Sequence, residues 1–347
     1  MMRPSLLCGL LVPALLLVLG GVAAAADDAG PQVGVWQKEF ETGANVLQSS
    51  YTNNWKGGEK GSVNWTALFN MRLENQFTER TNWRNILKLA YGQTNQQERD
   101  ANGQLYWKRP DKTDDIVNFE SMFRWTPASR WDPFVAFNFE SMFNDKTDVD
   151  GRSLFMNPLK FKLSAGISRS LIENDVHTLL VRLGAAFSSN SRKFFEQSSL
   201  THANPTDDTS SASSTEAAGE LVAEYKGAVA GGRIDVESKL TLNQPFSYSG
   251  KKVFEDNDPT TWGLPADVAD YTTTLNADLE TTFSANITSV ISVKLFLRWI
   301  YEKYDNTVKP VVDNGDLVNA VDVNQAIRKA GQFKETLALG LTYKWGS

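Results

Sequence analysis

Two-residue alternation of apolar and polar side chains, sustained for about ten residues at a time and repeated along most of the chain, limits the possible folds more than any other feature. The clearest instance runs to the C-terminus. From Phe333, the residues Leu337, Leu339, Leu341, Tyr343 and Trp345 share one parity, and Lys334, Thr336, Thr342 and Lys344 share the other. A second instance sets Val63, Trp65, Ala67, Phe69, Met71 and Leu73 against Asn64, Thr66, Asn70, Arg72 and Glu74. A period of two belongs to a β-strand whose faces meet different surroundings. Strands of soluble sandwiches are usually about five or six residues long, whereas a tilted strand needs roughly nine to eleven to cross a bilayer. The pattern therefore predicts an all-β fold: an antiparallel transmembrane β-barrel whose apolar parity meets lipid, whose polar parity lines a lumen, and whose closure leaves no free edge.

Further apolar-parity sets begin at Trp83, Val117, Val135, Leu159, Leu179, Gly219, Ile234, Tyr271 and Ile291. With a first strand near Ala44 to Tyr51, the least regular of all, the expected total is twelve. The gaps alternate in length. Those at Glu79-Arg80, Pro127-Ala128, Glu173-Asn174, Ala230-Gly231 and Ala285-Asn286 are short; those at Gln93 to Thr113, Asn144 to Met156, Ser189 to Thr215, Asn243 to Ala269 and Lys303 to Gln332 are long. Outer-membrane barrels place short turns in the periplasm and long loops outside. An even strand count then puts both termini in the periplasm, and the expected location is the outer membrane of a Gram-negative-type bacterium, in contact with its lipid. The aromatic C-terminal strand is the kind such barrels present to their insertion machinery. Trp83, Trp125, Phe283 and Trp345 near the short turns, and Trp65, Tyr91, Phe143, Tyr271 and Trp299 near the long gaps, predict two interfacial belts.

The first 26 residues read as a secretory signal peptide: Arg3, an apolar run from Leu6 to Leu19, then Ala23-Ala24-Ala25-Ala26. Pro13 and Gly20-Gly21 leave too little apolar length for a spanning helix, which needs roughly 20 residues. Residues 27–43 are expected to form an N-terminal periplasmic segment and residues 44–347 the barrel. Cys8 is the single cysteine, so cleavage excludes disulfides, thiol catalysis and cysteine-held metals from the mature chain. A mean hydropathy of −0.34 does not oppose a membrane location, because only every second strand residue meets lipid.

Three local motifs, Asn54-Trp55-Lys56-Gly57-Gly58, Leu89-Ala90-Tyr91-Gly92 and Lys112-Thr113-Asp114-Asp115, resemble in order and spacing the outer-membrane barrel family called domain of unknown function 3078. The resemblance covers residues 40 to 145 and implies the barrel and its location. It implies no activity and no site residues.

The polar parity supplies the lumen lining, in which basic residues outnumber acidic ones. Arg72, Arg84, Lys88, Lys160, Lys162, Arg182 and Arg298 are the candidate selectivity residues, and an open basic lumen favours anions. Equally, these charges can pair across strands and fill the interior, since eight strands give a filled barrel and sixteen an aqueous channel. A repeat, Asn118-Phe119-Glu120-Ser121-Met122-Phe123 and Asn138-Phe139-Glu140-Ser141-Met142-Phe143, falls on neighbouring strands. A turn centred near Ser129 sets Glu120 opposite Asn138 and Asn118 opposite Glu140, which predicts inward amide–carboxylate pairs that stabilise the wall.

Enzymatic signals are weak. Serine catalysis needs a histidine base, and the only two histidines are His177 beside a short turn and His202 in a polar loop. The segment Asp145 to Gly151 superficially resembles a calcium loop, but alignment puts Lys146 at the first ligand position and Asn157 at the twelfth. No cofactor and no nucleic-acid partner is expected, the net charge being −6 with no basic stripe. Asp316 to Ala330 has helical spacing and predicts a short helix over the mouth. The expected function is a small channel for polar or anionic small solutes; the alternative is a closed barrel with a structural, adhesion or partner-binding role through its loops.

Overall fold

The computed structural model describes residues 33–51, 59–127, 131–174, 176–197, 207–288, 291–328 and 331–346. The expected signal peptide, the whole Asn54 to Gly58 motif and His202 lie outside the described residues.

Twelve antiparallel strands close into one transmembrane barrel. In chain order they are β1 (Trp36–Ser49), β2 (Ser62–Thr78), β3 (Thr81–Arg99), β4 (Asp111–Trp125), β5 (Asp132–Ser141) and β6 (Leu159–Glu173). The second half comprises β7 (His177–Phe195), β8 (Thr209–Val229), β9 (Ile234–Tyr248), β10 (Asn276–Asn286), β11 (Ile291–Tyr301) and β12 (Gln332–Gly346). Each strand pairs with its chain neighbours, and β1 pairs with β12 to complete the ring. Lipid takes up the outward parity, which is why Leu163, Leu183, Phe187, Leu337, Leu339 and Leu341 are exposed. Aromatic pairs gather at both rims: Trp36, Phe77 and Trp83, with Phe40 on Trp345, at the short-turn end; Trp65 with Tyr91, and Trp299 with Tyr301, at the long-loop end.

The register also explains a glycine pair. Gly166 and Gly184 face each other on β6 and β7, and a Cβ on Gly166 would lie 2.1 Å from the Leu183 carbonyl oxygen. A side chain at either position would run into the backbone of the neighbouring strand.

Several strand ends differ from the sequence reading. β1 begins at Trp36, eight residues before Ala44, so residues 36–43 of the expected periplasmic segment are barrel wall. Its outward parity carries Lys38 and Thr42 between Trp36, Phe40 and Ala44, which hides the alternation. β3, β7 and β8 run on to Arg99, Phe195 and back to Thr209, past the apolar band. Hydrogen-bonded ladders need no apolar residues once they leave the membrane. β5 ends at Ser141, leaving Phe143 in a loop where it still meets the Tyr91 ring edge-on. Tyr271 belongs to a helix, not to β10.

The long loops between β9 and β10 and between β11 and β12 fold together as a cap at the long-loop end. It contains α1 (Lys251–Glu255), a 3-10 turn (Pro259–Trp262), α2 (Val268–Tyr271) and α3 (Ala320–Ala326). The expected helix is thus present but shorter, because Asp316–Leu317 pairs as a small strand with Val312–Asp313. Tyr248, Phe254, Leu264, Val268, Tyr304, Val308, Leu317 and Val323 form a buried apolar core. The Tyr248 and Tyr304 hydroxyls both donate to the Val308 carbonyl at 2.7 Å.

Candidate functional site

Alternation sends Arg84 of β3, Glu120 of β4, Arg182 of β7, Glu224 of β8 and Lys239 of β9 into the lumen, and closure brings them together. Arg84 donates to Glu120 Oε1 at 3.1 Å and to Glu224 Oε2 at 3.0 Å. Arg182 donates to Glu224 Oε1 at 2.5 Å and lies 3.7 Å from Glu120 Oε2; Lys239 donates to Glu120 Oε2 at 2.9 Å. Three cations thus surround two carboxylates in a layer that crosses the barrel from β3 and β4 to β7, β8 and β9. Buried charges persist only when paired and hydrogen-bonded in this manner.

This layer divides the lumen unequally. On the β4 to β8 side, Met122, Phe134 and Ala136 form a buried apolar cluster with Leu180, and Arg182 lies between Met122 Sδ, at 3.4 Å, and the Phe134 ring, at 5.7 Å. Ala186, Ala218, Val222 and Glu220 are buried on the same side. From β9 through β12 to β3, inward Lys239, Asp278, Arg298, Asn70 and Arg72 are half-buried and Lys88 is exposed to the lumen, while Ser292, Asn82 and Arg84 are buried. The apolar cluster fills part of the packed side, where inward Asn138, Glu140, Lys160 and Lys162 are nonetheless half-buried as well.

Five of the seven candidate selectivity residues are paired. Arg72 meets Glu74 at 2.5 Å, Arg84 and Arg182 belong to the central layer, Lys162 meets Glu220, and Arg298 meets Asp278 at 2.6 Å and Glu280 at 3.3 Å. Lys88 and Lys160 make no ion pair within 4 Å among the described residues. Lys160 stands in register with Glu140. For the repeat, the register sets Asn118 opposite Glu140 and Glu120 opposite Asn138. Asn118 donates to Glu140 at 3.2 Å. Glu120 turns instead to Arg84 and Lys239, because charge-assisted bonds outcompete an amide. Glu224 and Lys239 lay on the inward parity in the sequence, but nothing local marked them as partners of Arg84 and Glu120.

The cap docks above the packed side. Asn306 donates to Glu216 of β8 at 2.5 Å and to the Thr272 carbonyl at 2.9 Å, while Ser214 donates to the Asn306 carbonyl at 2.7 Å. The Gln197 amide donates to the Val318 carbonyl, and the Ala320 amide donates back to the Gln197 carbonyl. Arg192, near the outer end of β7, reaches Asp322 of α3 at 3.6 Å and Asp145 at 3.7 Å and donates to Thr147 at 2.9 Å. Burial pushes the Asp322 carboxyl up to about 6 against the pull of Arg192, and the nearby Asp145 and Asp148 add to the rise. In the calcium-like segment, Asp148 and Asp150 are turned to Arg152, at 2.8 and 3.2 Å, and Asn157 donates to Asp145 at 2.7 Å. His177 lies at the short-turn end, its Nδ1 2.9 Å from the Tyr225 hydroxyl.

A model of the family of unknown function 3078 matches residues 46–146, which upholds the resemblance read from the three motifs. No curated protein matches the sequence. Among solved structures, an outer membrane channel from Pseudomonas putida F1 aligns with 93% of this chain and 99% of its own at 12% identity and a TM-score of 0.37. The beta domain of the Bordetella autotransporter BrkA aligns with 90% of this chain and 98% of its own at 9% identity and a TM-score of 0.32.

Proposed function

We propose that this protein is a narrow channel of the bacterial outer membrane, and that its conducting space is the side of the lumen between β9 and β3. One observation carries the reading: the buried cluster around Met122 and the docking contacts of the cap occupy the β4 to β9 side, while Lys88 on β3 is exposed to the lumen. Lys239, Asp278, Arg298, Asn70, Arg72 and Lys88 of the other arc keep part of their surface exposed. A path of this kind suits small solutes. Its central layer carries one cation more than it has carboxylates, and Lys88 adds a charge with no ion pair among the described residues. A lining of that sign favours small anions.

The test is conductance of the refolded protein in a planar lipid bilayer under a salt gradient. Small discrete steps with weak anion preference support the channel. Silence from a folded, heat-modifiable barrel overturns it and favours a closed barrel that acts through its loops.

A further inference from the structure

The ladder that closes the barrel stops partway across. β1 and β12 pair from Glu39 with Gly346 only as far as Ala44 with Leu341, six pairs in all. On its other edge β1 pairs with β2 out to Ser49 with Ser62, and β12 pairs with β11 as far as Gln332 with Ile300. Among the described residues, the facing edges of β1 from 45 to 49 and of β12 from 332 to 340 therefore have no ladder partner on the long-loop half. Five residues of strand span about 15 Å. Exposure agrees: Val46 shows 69% of its surface and Leu337 70%, against 52% for Leu183 and 53% for Leu163, outward leucines on strands paired along both edges.

Unpaired backbone groups are costly in hydrocarbon and persist where water or another polar group reaches them. The inner side of this gap supplies both. The Asn45 side chain lies against Gly340, its Oδ1 only 1.5 Å from where a Cβ would stand. Lys334 reaches Asp114 of β4 at 2.5 Å yet keeps 40% of its side chain exposed. Leu47 sits on the inward parity but shows 70% of its surface, unlike inward Met122, Phe134 and Val222, which are buried. The gap thus has leucine and valine on its lipid side, an exposed leucine at its threshold, and an ammonium with polar groups behind.

We propose that the gap between β1 and β12 is a lateral window for a free single-chain amphiphile with an anionic head. The tail lies between Val46 and Leu47 on one edge and Leu337 and Leu339 on the other, and the head meets Lys334. A phospholipid of the surrounding bilayer keeps its head at the membrane surface, whereas Lys334 and Asn45 lie on the inward parity behind the wall. The window does not depend on conduction along the barrel axis.

The test uses the full chain refolded in phosphatidylcholine vesicles and a diazirine-bearing dodecanoate, with cross-links mapped by mass spectrometry. Labelling is expected to concentrate severalfold at 45–49 and 332–340 relative to other outward strands, and to be displaced by unlabelled dodecanoate. The Lys334→Ala variant is expected to weaken that displacement severalfold. Val46→Cys with Leu339→Cys would face each other if the ladder continued, so their disulfide is expected to abolish seam labelling and its reduction to restore it. Should the two thiols not bridge, Leu47→Asp is expected to remove the label instead. Even labelling around the barrel, labelling only by a diazirine phosphatidylcholine, or seam labelling unchanged in the stapled or Leu47→Asp protein would each overturn the window.

Discussion

Arg84 and Glu224, separated by 140 residues in sequence, meet at 3.0 Å across the lumen and tie β3 to β8. Both are largely buried, and Glu224 also accepts from Arg182. Removing one partner of a buried ion pair leaves an uncompensated charge, at a cost of about 3–5 kcal/mol. Glu224→Ala is therefore expected to destabilise the barrel by roughly that amount. Replacing Arg84 with Met in the same background should recover part of the loss. Urea unfolding in detergent or lipid checks both; equal stability of Glu224→Ala and wild type would show that the layer does not hold the barrel together.

Lys88 is exposed to the lumen and breaks no ion pair among the described residues when replaced. Lys88→Glu should thus change stability by less than about 1 kcal/mol and reduce or reverse the anion preference. Reversal potential under a salt gradient is the measurement. A shift with Arg72→Glu but none with Lys88→Glu would move the path away from β3.

The cap hangs on a few bonds to the wall, and Asn306 takes part in two of them, donating to Glu216 and accepting from Ser214. Asn306→Ala leaves the buried Glu216 without that donor and should loosen the cap by about 1–3 kcal/mol. Hydrogen exchange within α3 would rise while exchange in β7 and β8 stays slow. Deleting Asp316 to Ala330 should raise conductance if the cap also narrows the mouth; unchanged conductance would confine the cap to a structural role.

The contact between cap and wall is expected to respond to pH. Asp322 has a folded pKa of about 6, raised above the ordinary aspartate value of 3.8. A raised value means that the docked cap binds the proton more tightly than the released cap. This contribution is fully present below about pH 4 and is lost as pH rises through about 6. A shift of about two units corresponds to roughly 3 kcal/mol at most. Asp322→Asn should therefore protect α3 from hydrogen exchange at pH 8 and change little at pH 4. The opposite order would reverse the assigned sign.

Much of the architecture was legible without coordinates. Lipid and water read side chains one residue at a time, so the parity sets, the twelve strands and the alternation of short turns with long loops are local properties of the chain. The register of the repeat followed from one turn position, and Asn118 opposite Glu140 was legible for that reason. Elsewhere the local signal failed where the solvent changes. β1 was misplaced because Lys38 and Thr42 interrupt its outward parity, and Tyr271 was misread because an apolar residue every second position also occurs by chance in a capped loop.

What only the tertiary structure decided is which inward charges meet. Arg84, Glu120, Arg182, Glu224 and Lys239 come from five strands, and no spacing within one strand encodes a contact across a closed ring. Closure likewise placed the buried cluster and the cap toward one side, and it set where the ladder between β1 and β12 ends. These depend on the shear of the whole sheet, and a sequence records each strand's faces but not how far the last strand slides along the first.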